Sequence, residues 1–317
     1  MVKQSNKNLR RSYLYTNART KEGNRKLLES LVKQAKPAYF PDCIIIDLED
    51  GVPSETEKLK VREAYFKDNK TITILKNYKQ QGARIILRIN SQETKFFKDD
   101  LSLALKMLYL DGIAVPKIKT IKELKTVEDK VRKLYLKTGR RLEIHPIIET
   151  KEAFCFREEI LAREAKYPEI YQVADFGLGD FTQEMNLPSP PLVLKDKLLQ
   201  SYIIDFSKTA LYYGVHFIVG PFWGLTKKAD LEELKKECYF LKDYAVKGRV
   251  AIHPGHINII NNIFSKYSAQ DINKAHKIIS AYQKAAKLNK LPLVINKKYI
   301  GLPEYKRCLN IISELKT

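Results

Sequence analysis

Residues 43–52 read CIIIDLEDGV, an apolar run that ends in three carboxylates, Asp47, Glu49 and Asp50, and a glycine. An apolar run of this length closed by turn residues is the pattern of a strand buried on both faces, as in a parallel sheet. Three acids within four positions are more than a turn requires, so the end of this run is also a place to look for chemistry, although Asp47 could equally be a buried anchor. Working outward, the same texture recurs to give eight runs in all: Ser12 to Tyr15, Cys43 to Asp47, Arg84 to Ile89, Gly112 to Val115, Leu142 to Ile148, Val173 to Gly177, Val215 to Val219 and Arg249 to Ile252. Between them lie amphipathic stretches with helix-start signals. Ser54 with Glu57 and Thr120 with Glu123 form capping boxes, and Leu124, Val127, Val131 and Leu134 then mark one helical face. Asp230 with Glu233 opens another helix that runs towards Ala245. Eight strand-helix alternations in one chain predict an α/β fold, a closed (β/α)8 barrel, with an open doubly wound sheet as the alternative.

The chain has 317 residues, 44% hydrophobic and 30% charged, enough for one large core. The barrel is expected over residues 1–268. From 269 to 317 the texture turns helix-rich with no further clear strand, which predicts a helical C-terminal extension packing on the barrel or on a neighbouring subunit. No apolar run reaches the length of a membrane span and the first residues lack a signal-peptide pattern, so a soluble, cytoplasmic protein is expected. Cys43, Cys155, Cys238 and Cys308 are far apart and form no CxxC pair, which argues against a zinc site or a disulfide framework. The formal charge of +20 is spread over most helical segments without an aromatic recognition motif, so a solvated basic surface is the better reading than nucleic-acid binding. Local basic residues could still attract a polyanionic substrate such as coenzyme A.

In a barrel of this kind the site is built from the carboxyl ends of the strands, so polar residues just past each run are the candidates. They are Asp47, Glu49 and Asp50, Arg88 and Asn90, Lys117, Glu149, Gly179 with Asp180, and His253. Glu149 and Asp180 offer hard oxygens but too few to strip a cation of water, which suits Mg2+, or alternatively Mn2+, with waters and substrate completing the shell. Against this, each acid could simply cap the helix after it or pair with a lysine. Arg88 lies in RIILRIN, where a cation among aliphatics is costly unless it faces a polar cavity; its planar fork suits a carboxylate or an oxyanion, or an internal ion pair with Glu49 or Asp50. One of Glu49 and Asp50 is expected to position water on the ion while the other orients Lys58 or Arg62. Lys117 is either a substrate contact or a structural ion-pair partner. His253 and His256 in IHPGH lack the helical spacing of a metal pair, and His145 reads as a core residue on its strand.

The series RSYLY, IIIDLEDGV with downstream Lys58 and Arg62, LRIN, VPK, PIIET, FGLGDF and IHPGHI, spanning Arg11 to Asn262, resembles in order and spacing the citrate lyase beta-subunit family and its malyl-CoA and citramalyl-CoA lyase relatives, within the HpcH/HpaI aldolase/citrate lyase superfamily. The resemblance implies a (β/α)8 barrel assembled as a trimer or hexamer, with magnesium on Glu149 and Asp180. It further implies that Arg88 binds the keto acid or polarises its carbonyl, that the acids of DLED contact the ion's waters, and that Arg11 lines a coenzyme A entrance. Lys117 and Gly179, from their places past the strand ends, are taken as further substrate contacts. Two positions depart from the pattern. Malyl-CoA lyases carry an aspartate just before a GPF sequence where this chain has Val219, and many relatives carry a C-terminal aspartate, reaching a neighbouring subunit's site, where KYIGLPEY has Gly301. The expected function is a magnesium-dependent carbon-carbon lyase acting on a 3-hydroxyacyl-CoA thioester of the citryl-, malyl- or citramalyl-CoA type. The alternatives are a metal-dependent aldolase for free pyruvate or oxaloacetate derivatives and a non-catalytic barrel with a binding role.

Overall fold

In a computed structural model the eight runs become eight parallel strands: β1 Ser12–Asn17, β2 Cys43–Asp47, β3 Arg84–Arg88, β4 Gly112–Val115, β5 Glu143–Ile148, β6 Ala174–Phe176, β7 Phe217–Val219 and β8 Gly248–Ala251. They pair in sequence order and β8 returns to β1, so the sheet is a closed barrel. The open-sheet alternative is thereby excluded. The structure describes residues 10–17, 40–52, 58, 62, 67–191, 193–265, 267, 269–288, 291 and 293–314. The Ser54 to Glu57 capping box lies outside them.

Side chains alternate across a strand, and this parity sorts the runs into two layers. Tyr13, Cys43, Ile45, Ile86, Ala114, Ile147, Val173, Ile218 and Val250 fill the barrel interior. Their neighbours in sequence, among them Leu14, Ile44, Ile46, Ile85, Leu87, Ile148 and Phe176, face outward to a larger core beneath the helices. The same alternation carries the inner row of each strand upward into polar residues: Ile45 is followed by Asp47, Ile86 by Arg88, Ile147 by Glu149 and Val173 by Asp175. An apolar plug thus sits under a polar mouth at the carboxyl ends.

The helix Ile121–Thr138 forms where its signals place it. Thr120 and Glu123 make the reciprocal capping box, Leu124, Val127 and Val131 are buried with Leu134 packed beside them, and Gly139 closes the helix in the left-handed region at φ 70°. The helix expected to open at Asp230 starts earlier, spanning Lys228–Asp243; Asp230 sits in its first turn and accepts a hydrogen bond from Leu225 N at 3.2 Å.

The amino end of the barrel is stitched by ion pairs. Arg10 grips Glu143 through two hydrogen bonds of 2.8 Å, Arg84 joins the same carboxylate, and His145 lies 3.2 Å from it. Burial would raise the Glu143 carboxyl, but the bonds from His145 and Arg10 outweigh it and bring the pKa down to about 2. His145 is a buried strand histidine packed edge-on to Tyr13, as expected.

The chain after Phe264 forms a separate compact unit. It holds the helices Ala269–Lys287 and Leu302–Glu314 around a small core of Ala275, Ile278, Ile300, Cys308 and Ile311. It also contains a hairpin, β9 Leu293–Ile295 and β10 Lys298–Ile300, which corrects the expectation of no further strand. The turn is Asn296-Lys297, both with positive φ (47° and 61°). A two-residue hairpin turn needs such angles, and without a glycine to announce it the turn was hidden in a lysine-rich run. Of the four cysteines, Cys43, Cys238 and Cys308 are buried and unpaired as packing residues, whereas Cys155 is exposed. No helix among the described residues is long and apolar enough to cross a membrane.

Candidate active site at the carboxyl end of the barrel

Asp47 is the keystone of the polar mouth. Its carboxylate accepts from Arg88 Nε at 2.8 Å and Arg88 Nη2 at 2.7 Å, and also from the backbone amides of Glu49 (2.9 Å) and Gly51 (2.8 Å). Burial alone would raise its pKa; the Arg88 charge and these four bonds lower it instead, so Asp47 is the buried anchor. Gly51 is required here, because a Cβ would come within 2.5 Å of Asp47 Oδ2.

Arg88 is thereby fixed with one edge spent on Asp47. Its remaining nitrogen, Nη1, lies 3.0 Å from Glu49 Oε2 and 3.3 Å from Asp50 Oδ2, and its guanidinium stacks over the Tyr15 ring at 4.8 Å. The anticipated internal ion pair therefore exists with both Glu49 and Asp50, and Asp47 is its stronger partner.

Lys117 follows β4 with φ 49°, an angle uncommon for a residue with a Cβ. That backbone points its N–H at Glu149 Oε1, 2.8 Å away, while Nζ reaches Asp50 Oδ1 (3.2 Å), Glu49 Oε1 (3.3 Å) and Asp180 Oδ2 (3.8 Å). One residue thus touches acids from β2, β5 and the start of the helix Leu178–Glu184. Glu149 is 4% exposed and pressed against Gly177, where a Cβ would stand 2.7 Å from both Glu149 Cβ and Oε2. Burial, then the neighbouring charges of Glu49 and Asp180, push its pKa well above the usual carboxylate range. Burial also lifts Glu49 to about 7, with Arg88 opposing.

Among the described residues no three His, Cys, Asp or Glu side chains form a ready metal cage. The donor set nonetheless suits a hard divalent cation that keeps part of its water shell. Glu149 is bonded to the backbone N–H of Lys117 and Asp180 faces the ammonium of the same residue, Glu149 is destabilised by burial and by neighbouring negative charge, and the mouth is open enough to leave the Asp180 side chain 34% exposed. Mg2+ characteristically binds through one or two carboxylates with waters and substrate.

Other expected residues lie elsewhere. Arg11 precedes β1, at the opposite, amino end of the barrel, where Nε and Nη2 hold Asp42 at 2.8 and 2.9 Å and its carbonyl accepts from Arg249 N. A residue before the first strand of a parallel barrel lies away from the mouth at the carboxyl ends, so Arg11 is not among the residues gathered there. Lys58 and Arg62 are not oriented by Glu49 or Asp50: Lys58 donates to Asn90 Oδ1, and Arg62 pairs with the fully buried Asp100 at 2.6 Å. Asp100 also accepts from the backbone and side-chain nitrogens of Asn90 (2.9 and 2.7 Å), so Asn90 is a structural hub. His253 is half-buried and accepts from Gly255 N, while His256 is buried against Phe222 and bonded to Leu225 O, so each ring engages the backbone. Gly179 lies in the first turn of the helix that carries Asp180, with the Trp223 ring 2.9 Å from where a Cβ would lie. Val219 packs into the outer core, and Gly301 lies in the C-terminal unit.

Three residues escaped the sequence reading. Tyr15 stacks under Arg88, Asp100 organises Asn90, and Asp175 sits inside the barrel on β6 with its Oδ1 buried and without a hydrogen bond. Asp175 carried a usable signal: an acid on the inward parity of VADF, between Val173 and Gly177.

Comparison with known proteins matches residues 28–254 to the HpcH/HpaI aldolase/citrate lyase family. A (3S)-malyl-CoA thioesterase of Cereibacter sphaeroides is 26% identical over 82% of this chain and 81% of that one. The citrate lyase subunit beta of Leuconostoc mesenteroides subsp. cremoris is 22% identical over 97% and 94%. Among solved structures, a citrate lyase from Burkholderia xenovorans superposes with a TM-score of 0.78 at 16% identity, covering 98% of this chain and 92% of the other. CitE from Mycobacterium tuberculosis, in complex with magnesium, acetoacetate and coenzyme A, does so at 0.67 and 17% identity, over 98% and 100%. With a family match over more than two thirds of its length and the barrel to go with it, the chain belongs to the HpcH/HpaI aldolase/citrate lyase family of lyases and aldolases.

Proposed function

We propose that the protein is a magnesium-dependent carbon-carbon lyase that cleaves, or forms, a 3-hydroxyacyl-CoA thioester of the citryl-, malyl- or citramalyl-CoA type, with a keto acid and an acyl-CoA as the other side of the reaction. The observation that carries this reading is the meeting of Glu149 and Asp180 at Lys117, with Arg88 fixed beside them by Asp47. Cleavage of such a thioester leaves a keto acid and an enolate, so the site must hold negative charge on oxygen. Bound by Glu149 and Asp180, Mg2+ or Mn2+ supplies positive charge for that purpose. Arg88, unable to rotate away from Asp47, presents Nη1 to the substrate's carboxylate or carbonyl. Glu49, whose carboxyl lies at about 7, is the group suited to take the proton from the substrate hydroxyl, and Asp50 at the rim orders water. Lys117 and Gly179 complete the substrate contacts, with coenzyme A carried as part of the substrate.

A second reading, an aldolase for free pyruvate or oxaloacetate derivatives, is favoured by Gly301, which stands where many relatives carry the C-terminal aspartate that reaches a neighbouring subunit's site. A cytoplasmic trimer or hexamer accompanies both readings and is checked by light scattering. Calorimetric titration with oxaloacetate, with and without MgCl2, tests the site: binding should require the ion and fall at least tenfold in Asp180→Asn. Ion-independent binding would overturn the reading. Binding of acetyl-CoA separates the lyase from the aldolase.

A further inference from the structure

Lys117 places a fixed positive charge where the proposed ion would exert its own. Its ammonium lies 3.2 Å from Asp50, 3.3 Å from Glu49 and 3.8 Å from Asp180, and its backbone N–H is bonded to Glu149 at 2.8 Å. The left-handed backbone at this position is a conformation that costs energy for a residue with a Cβ and persists where the surroundings enforce it. Here it allows one residue to engage Glu149 through its main chain while its side chain turns to the other acids. The side chain is 32% exposed, on a flexible stem, and among the described residues its ammonium carries no bond to an uncharged group that would hold it there.

We propose that the Lys117 ammonium is a built-in counter-ion: it neutralises Glu49, Asp50 and Asp180 when no divalent cation is bound, and the cation must displace it on binding. The proposal rests on the magnesium reading of Glu149 and Asp180. Two cations cannot share the same carboxylate oxygens without repulsion, so each weakens the other's hold. Displacement by a divalent ion of high charge density is favoured over displacement by Na+ or K+, which would gain little from replacing an equal charge. The released ammonium then faces the mouth, where it meets an anionic substrate only after the ion has arrived. Lys117 is in this sense a positioning residue that couples the order of binding.

The test is calorimetric titration of MgCl2 into the full-length wild-type protein, Lys117→Met and Lys117→Gly. Met keeps the stem without the charge; Gly keeps the backbone N–H to Glu149 and accepts the left-handed angle without strain. Both should bind Mg2+ on the order of tenfold more tightly than wild type, whereas Lys117→Arg, which keeps the charge, should not. In EDTA, Lys117→Met should melt at a lower temperature than wild type, and saturating MgCl2 should raise its melting point by more. Equal or weaker Mg2+ affinity in both neutral variants would overturn the proposal while leaving the metal site in place. An absence of Mg2+ binding in wild type and variants alike would remove the magnesium reading itself, and this inference with it.

Discussion

At the level of single residues, the mouth of the barrel is governed by how buried charges are partnered. Arg88 and Asp47 are both nearly enclosed and bonded through two nitrogens. Removing one partner leaves the other buried without compensation, so Arg88→Met should cost roughly 3–5 kcal/mol in urea denaturation. Asp175 is the opposite case. Burial raises its carboxyl to about 7, against the pull of Arg88, and its Oδ1 has no hydrogen bond. A carboxyl whose pKa rises on folding binds more protons folded than unfolded, so stability falls as pH climbs from about 4 to 7 and stays low above that. Asp175→Asn should therefore stabilise the protein at pH 8 by on the order of 2–4 kcal/mol, an advantage that fades towards pH 4. A pH-independent effect in denaturant titrations would contradict this. Arg88, Glu149 and Asp180 could be picked out from the chain because they end apolar runs. The roles of Asp47 against Glu49 and Asp50 could not, since three acids within four positions differ only in what the fold brings opposite them.

At the level of elements, local signals served well where they were self-contained. The capping box at Thr120 acts within four residues, and Thr120→Ala should cost about 1 kcal/mol, measurable as a lowered denaturation midpoint. The helix at Asp230 began two residues before the acid because its first turn also answers to the preceding loop. The hairpin at Asn296 and Lys297 was invisible because its positive-φ turn uses side chains that rarely announce one. Gly177 shows how an element's end shapes the site: with Glu149 2.7 Å from where its Cβ would be, Gly177→Ala should shift that carboxylate and weaken Mg2+ binding about tenfold or more, with far-UV circular dichroism unchanged. Unchanged ion affinity would show that the glycine has no part in the site.

At the level of the molecule, the amino end of the barrel is tied by ion pairs and the carboxyl end carries the candidate site. Glu143 draws Arg10, Arg84 and His145 together, with a folded pKa of about 2 against an ordinary 4.5. Its contribution, roughly 3 kcal/mol by linkage, is complete above pH 4.5 and is lost as pH falls from there to 2. Glu143→Gln should be less stable at pH 7 by a comparable amount, and its acid unfolding should lack that window. The alternation of apolar runs with amphipathic stretches was enough by itself to determine the barrel, and the parity that turns an inner row into a polar residue at its end points to the carboxyl face for the candidate site. They are properties of neighbours in the chain. Which acid anchors Arg88, why Arg11 belongs to the far end, and that Lys117 gathers acids from three elements were decided only by tertiary structure. Those facts depend on distances between side chains far apart in sequence, and a carboxylate's role is set by the charge that folding places within a few ångströms of it.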